Sequence, residues 1–173
     1  MKKVLIIGPG GAGKSTIARR LGQLLQIEVF HLDRHYWQPG WVEPPKNIWQ
    51  ARVEQLLSRE SWIIDGNYSG TLSTRLQACD TVIFLDLSRV LCVWRIIRRR
   101  LKYRKMNRPD MADGCEERFS LEFLSWIWNY SRRSRPKVLA LLKANEETKQ
   151  IVWLRSRIEV EQFLTSTVSS IYQ

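Results

Sequence analysis

Apolar residues along this chain alternate between two rhythms. Short, mostly apolar runs occur at Val4-Leu5-Ile6-Ile7, Ile27 to Leu32, Trp62-Ile63-Ile64, Thr81 to Leu87 and Ile151-Val152-Trp153-Leu154. Runs of that length read as strands buried on both faces, as in a parallel sheet. Between them the spacing becomes helical. Ile17, Leu21, Leu24 and Leu25 mark one face of a helix from about Gly13 to Gln26, and Trp49, Val53 and Leu56 one ending near Glu60. A third helix, capped by Ser88 and reaching about Lys105, carries Val90, Trp94, Ile97 and Leu101 as its apolar stripe. Two more are predicted over about 120–131 and 136–145, the second opened by Pro136. Ser156-Arg157-Ile158-Glu159 is a capping box for the last. Strand–helix alternation with short, right-handed connections predicts an α/β fold: a five-stranded parallel sheet with helices on both faces.

The 173 residues suit one domain. An apolar fraction of 44% and a charged fraction of 26% exclude a disordered chain. No apolar run approaches the roughly 18 residues of a membrane span, and the first run is too short for a secretory signal. Cys79, Cys92 and Cys115 are odd in number and lack a CxxC pair, so they read as free thiols in a reducing cytoplasm.

Charge changes the picture. The net charge is +11, and the segment from Arg95 to Lys137, with 13 basic and 5 acidic residues, holds +8 of it. Such an excess calls for a polyanionic partner, either nucleotide phosphates or a nucleic-acid backbone. On the third helix Arg95, Arg98, Arg99 and Lys102 form a cationic stripe whose members repel one another, as expected if an anion meets them.

Gly8-Pro9-Gly10-Gly11-Ala12-Gly13-Lys14-Ser15, with Thr16 following, fits G-x-x-x-x-G-K-[ST] between an apolar strand and an amphipathic helix. Backbone that wraps a phosphate must turn successive N–H groups inward, which glycines permit, and the helix adds its positive end. Lys14 would neutralise the β- and γ-phosphates and Ser15 would ligate Mg²⁺. Asp65 closes the third strand and can hold Mg²⁺ at the same sheet edge; Asp86, at the end of the fourth, competes for that role. No Asn-Lys-x-Asp guanine signature is present, which argues against a GTPase and leaves a small kinase.

On these residues the chain resembles the adenylate kinase-like family of small P-loop kinases. The phosphate loop, Ile64-Asp65-Gly66, the Phe84-Leu85-Asp86-Leu87-Ser88 strand end with Arg95 and Arg99, and the final strand and capped helix all match. The resemblance implies that Arg95 packs on the adenine, Arg99 binds phosphate, and backbone near Arg155 and Ser156 borders the base. It implies a single domain over 1–173, with an acceptor-side insertion at about 34–60 and an arginine lid at about 102–136. Within this group the chain is most similar to bacterial DNA topology modulation proteins, a flagellar-regulation-related family. His31-Leu32-Asp33, Trp37-Gln38-Pro39-Gly40-Trp41, Trp62 to Tyr68 and Arg108-Pro109-Asp110-Met111-Ala112 carry that likeness.

The chain departs from adenylate kinase after Asp65-Gly66, where Asn67-Tyr68-Ser69 replaces Phe-Pro-Arg and removes the arginine that holds a monophosphate acceptor. Arg34 or Arg75 is available as a substitute. Asp33, expected at the end of strand two, is similar in place to the aspartate with which shikimate and gluconate kinases bind or deprotonate the acceptor hydroxyl. His31 and His35 flank it, as hydrogen-bonding groups or a metal pair. Tyr36, Trp37 and Trp41 either stack on a planar acceptor or fasten a loop. Trp126, Trp128 and Tyr130 are expected to pack the lid helices, from which Arg132, Arg133 and Arg135 would reach the transition state. The reading is an ATP- and Mg²⁺-dependent phosphotransferase acting on a small-molecule or nucleotide acceptor. The alternative is a nucleotide-dependent DNA-binding protein using the 95–137 segment.

Overall fold

The computed structural model describes residues 1–103, 110–116 and 120–171. Five parallel strands form one sheet: β1 (Lys3–Ile7), β2 (Val29–His31), β3 (Trp62–Asp65), β4 (Thr81–Leu85) and β5 (Gln150–Leu154), in the order β2-β3-β1-β4-β5. The helices are α1 (Lys14–Leu25), α2 (Leu32–Tyr36), α3 (Lys46–Leu57), α4 (Ser69–Ala78), α5 (Arg89–Lys102), α6 (Leu121–Arg133), α7 (Arg135–Lys143) and α8 (Arg157–Ile171). The expected doubly wound α/β architecture is the one observed.

Alternation along the central strand feeds two cores. Leu5 and Ile7 join one apolar cluster with Trp49, Val53, Leu76 and Val138; Val4 and Ile6 join the other with Ile17, Leu21, Cys92 and Leu164. Each fully buried aliphatic chain contributes about 1.5–3 kcal/mol, and β3 and β4, which flank β1, are buried along their whole length as well. The carboxyl end of β1 lies between β3 and β4, with Ile6 in register with Asp65 and Ile7 with Phe84. The phosphate loop therefore leaves the sheet at its centre, between Asp65 and Asp86.

Four local expectations need correction. β2 is shorter than Ile27–Leu32, because Leu32 already starts α2; Asp33 lies in the first helical turn and does not end a strand. β4 stops at Leu85, so Asp86 and Leu87 belong to the connection. α4 occupies a stretch where the pattern predicts no element, since its buried face (Thr71, Leu72, Arg75, Leu76) includes a threonine and an arginine among two leucines.

The largest correction concerns α5. Val90, Trp94, Ile97 and Leu101 are 63%, 53%, 44% and 73% exposed. The helix buries Cys92 and Ile96 instead, with Leu91 and Val93 half-buried. It approaches the phosphate loop so closely that a β-carbon on Gly11 would collide with the Cys92 carbonyl oxygen. Placing Arg95 and Arg99 toward that loop turns the apolar stripe outward.

Candidate active site

Gly13, at φ 98°, turns the chain into α1 and presents Lys14 and Ser15 at its first turn. Lys14 Nζ donates to Gly8 O at 2.9 Å and to Pro9 O at 3.0 Å. Burial pushes its pKa down, while the negative charges of Asp33 and Asp65 pull it up and Arg99 pushes it down again. These residues, distant in sequence, thus act on one ammonium. Asp65, only 3% exposed, accepts a hydrogen bond from His31 Nδ1 at 2.8 Å. The β2–β3 register places them side by side, His31 opposite Asp65. Burial lowers the His31 pKa, but the hydrogen bond and charge of Asp65 outweigh it and the net shift is upward.

Asp33 accepts a hydrogen bond from the Tyr68 hydroxyl at 2.8 Å. Burial and the Asp33 charge raise the phenol's pKa, so Tyr68 remains a donor at neutral pH. Tyr68 adopts φ 22°, a left-handed backbone at the start of α4. Arg75, one candidate for the lost acceptor arginine, is 0% exposed and cannot meet a substrate. It donates instead to the carbonyl oxygens of Gly66, Asn67 and Tyr68 at 2.9, 2.6 and 2.8 Å. Burial among these neutral oxygens pushes its pKa down to about 10. Arg34, the other candidate, is exposed.

The arginines divide by environment. Arg95 Nη1 donates to Ala12 O at 3.1 Å, and Arg99 is half-buried. Arg98 faces solvent with its guanidinium 5.4 Å from the centre of the Trp94 ring, so the cationic stripe is split between the cleft and the surface. Arg135 pairs with Asp86, Nε to both carboxylate oxygens at 3.0 Å, and Trp153 Nε1 donates to Asp86 Oδ2 at 3.0 Å. That pairing holds Arg135 and Asp86 together beside the carboxyl ends of β4 and β5. Arg132 and Arg133 are exposed in the last turn of α6. Arg155 is exposed with its guanidinium 4.3 Å from the Trp153 ring centre. Ser156 caps α8 as expected, its Oγ accepting from Glu159 N at 3.1 Å, while the Glu159 carboxylate reaches back to accept from Ser156 Oγ at 3.1 Å and from Arg155 N at 2.8 Å.

The loop and lid aromatics also resolve. Trp37 and Trp41 pack on Met111, Ala112 and Cys115. Gly40 N donates to Gly114 O at 3.0 Å, Trp41 Nε1 to Glu116 O at 3.1 Å and Cys115 Sγ to Gln38 O at 3.1 Å. The tryptophan loop is thus latched to the 110–116 segment, a pairing that sequence reasoning missed because the two halves lack any shared local signal. Arg108-Pro109, part of the likeness noted above, lies outside the described residues, as does part of the expected lid. Tyr130 is buried, Trp126 stacks on Phe123 with ring centres 5.8 Å apart, and Trp128 lies under Arg89. Phe123 and Ile127 pack over the phosphate loop, where a β-carbon on Gly10 would come within 2.8 Å of Phe123 Cζ.

A glycine cradle, a lysine and a hydroxyl at a helix start suit a nucleotide phosphate, and the buried Asp65 beside Ser15's loop supplies the hard oxygen that Mg²⁺ prefers. Among the described residues no helix is long and apolar enough to cross a membrane.

Among curated proteins, the shikimate kinase of Baumannia cicadellinicola subsp. Homalodisca coagulata is 32% identical over 100 residues, covering 49% of this chain and 58% of that protein. The shikimate kinase of Rhodococcus erythropolis is 31% identical over 104 residues, 50% of this chain and 59% of the relative. The matches therefore span under two thirds of these relatives' length. Solved shikimate kinases share the fold. That of Bacteroides thetaiotaomicron aligns with TM-score 0.51 and 13% identity over 98% of each chain. That of Acinetobacter baumannii, in complex with shikimate, aligns with TM-score 0.53 and 18% identity over 99% of this chain and 93% of that one. No protein-family model matches the chain. The similarity is to small P-loop kinases; the likeness to DNA topology modulation proteins is not among these findings.

Proposed function

We propose that this chain is an ATP-dependent phosphotransferase that acts on a hydroxyl of a small molecule, with shikimate the first acceptor to try. The observation that carries the reading is geometric: an intact phosphate loop starts α1 with Lys14 and Ser15 at the sheet edge where β3 delivers the buried Asp65, with Asp33 in the first turn of α2 close enough for its charge to act on Lys14. Similarity to shikimate kinases in sequence and fold supports it.

In this reading the loop amides and Lys14 bind the β- and γ-phosphates, and Ser15 and Asp65 hold Mg²⁺, with His31 orienting the Asp65 carboxylate. The metal, when bound, screens phosphate charge and organises the transferring group. Asp33 orients the acceptor hydroxyl and takes up its proton, and the Tyr68 hydroxyl fixes that carboxylate. Arg95 and Arg99 bring positive charge from α5 over the donor, and Arg132 and Arg133 are placed on a helix that packs over the loop. Such sites work by positioning and charge stabilisation. The relatives are kinases, and they lend no support to the DNA-binding alternative.

The test is a coupled assay of ADP release from ATP–Mg²⁺ with shikimate and a panel of hydroxylated acids, sugars and nucleosides. Acceptor-dependent ADP release is expected with at least one. ATP binding without stimulation by any hydroxyl acceptor would sink the phosphotransferase reading.

A further inference from the structure

The entry to the phosphate loop is held by a side chain that donor chemistry does not require. Asn67, which follows β3, brackets the Gly8 peptide with its carboxamide. Asn67 Nδ2 donates to Gly8 O at 2.7 Å, and Gly8 N donates to Asn67 Oδ1 at 3.1 Å. The same Gly8 oxygen accepts the Lys14 ammonium at 2.9 Å, and Pro9 O takes its second bond at 3.0 Å.

Asn67 is fixed in turn. The Arg75 guanidinium reaches from inside α4 and binds the carbonyls of Gly66, Asn67 and Tyr68, while its Nε donates to Thr71 Oγ1 at 3.2 Å. A buried guanidinium satisfied by three successive carbonyls sets the course of the turn, and so aims the carboxamide at Gly8.

Two of the three N–H donors of the Lys14 ammonium are committed to Gly8 O and Pro9 O, which leaves the third for a nucleotide phosphate. Gly8 is buried, and Asn67 donates to the same oxygen. The carboxamide therefore fixes the point from which the ammonium is aimed.

We propose that Asn67 is a positioning residue of the donor site, which holds both the N–H and the carbonyl oxygen of Gly8 so that the Lys14 ammonium bound to that oxygen is aimed at the nucleotide, with Arg75 as its anchor. The inference rests on the donor half of the phosphotransferase reading. It differs from simple stiffening of a turn in one respect: the effect of Asn67 must depend on Lys14.

A double-mutant cycle measures that dependence. ATP–Mg²⁺ affinity is determined by calorimetry for the wild type, Asn67→Ala, Lys14→Met and the double variant, with chemical denaturation of each. Asn67→Ala is expected to weaken ATP binding about tenfold when Lys14 is present, and by less than twofold in the Lys14→Met background. An equal loss in both backgrounds would overturn the proposal, since Asn67 would then act only on loop stability. If Asn67→Ala does not fold, Asn67→Ser, too short to span both Gly8 atoms, takes its place in the same cycle. A wild-type chain without ATP affinity would remove the donor reading together with this inference; normal wild-type affinity with an additive cycle would remove the inference alone.

Discussion

The donor half of the cleft is made from consecutive residues: Gly8 to Ser15 leave the central strand, turn, and start α1 within one short stretch. The half proposed for the acceptor is stitched together from remote ones. Trp41 meets Glu116 across 75 positions and Cys115 meets Gln38 across 77, while Asp33 meets Tyr68 across 35. In the proposed reading the backbone amides of one loop hold the donor phosphates, so spacing along the chain is also spacing in the site. On the acceptor side, side chains and loop carbonyls from separate elements must be brought together, and each depends on the packing beneath it. Damage should therefore separate cleanly: donor substitutions should act on ATP, acceptor substitutions on the second substrate.

The largest effect is expected at Lys14. Replacing it with alanine should lower turnover about 10²–10³-fold, the range seen when one charge-stabilising donor is lost, while chemical denaturation stays near wild type. Turnover within threefold of wild type would break the donor half of the comparison. Asp33→Asn comes next. Loss of a general base costs roughly 10²–10⁴-fold, and ATP affinity should stay within a few-fold because the donor loop is untouched. Calorimetry that finds ATP binding abolished would move Asp33 to the donor side.

Arg75 joins the two halves, so its loss should appear as instability. Arg75→Leu leaves the carbonyls of Gly66, Asn67 and Tyr68 without their buried partner. We expect a cost of about 3 kcal/mol in urea denaturation, and a loss under 1 kcal/mol would show that water replaces the guanidinium easily. The smallest effect belongs to the latch. Gly114 has φ 73°, and a β-carbon there would come 3.0 Å from Pro39 Cβ. Gly114→Ala should therefore raise the acceptor KM several-fold and leave the ATP KM unchanged. Equal rises in both would mean that the latch serves the whole cleft.

Much of the donor side was legible because its chemistry is written in backbone conformation. Gly10, Gly11 and Gly13 follow a buried strand and precede an amphipathic helix, and that context placed the loop. Even there the glycines have a second reason that the motif does not express: Gly10 lies under Phe123 and Ile127, and Gly11 against the backbone of Cys92. Around α5 the apolar period was readable but its direction was not. Val90, Trp94, Ile97 and Leu101 make as regular a stripe as Ile17 and Leu21 of α1, yet α5 turns it outward to bring Arg95 against the loop. A periodic pattern records that a face exists, and contact with the rest of the molecule decides which face is buried.

By itself the sequence determined the alternating α/β order and the position of the phosphate loop. Each follows from local rules, namely run length, helical period, capping and the conformational freedom of glycine, which act over a few residues. Only the tertiary structure decided that Arg75 is buried as an anchor, that Arg135 is paired with Asp86, that His31 faces Asp65, and that the tryptophan loop closes on the 110–116 segment. Those outcomes depend on which distant groups arrive within hydrogen-bonding distance once the sheet has assembled. A hydrogen bond is made or lost over less than an ångström, and no local pattern of residues sets a distance across the fold that finely.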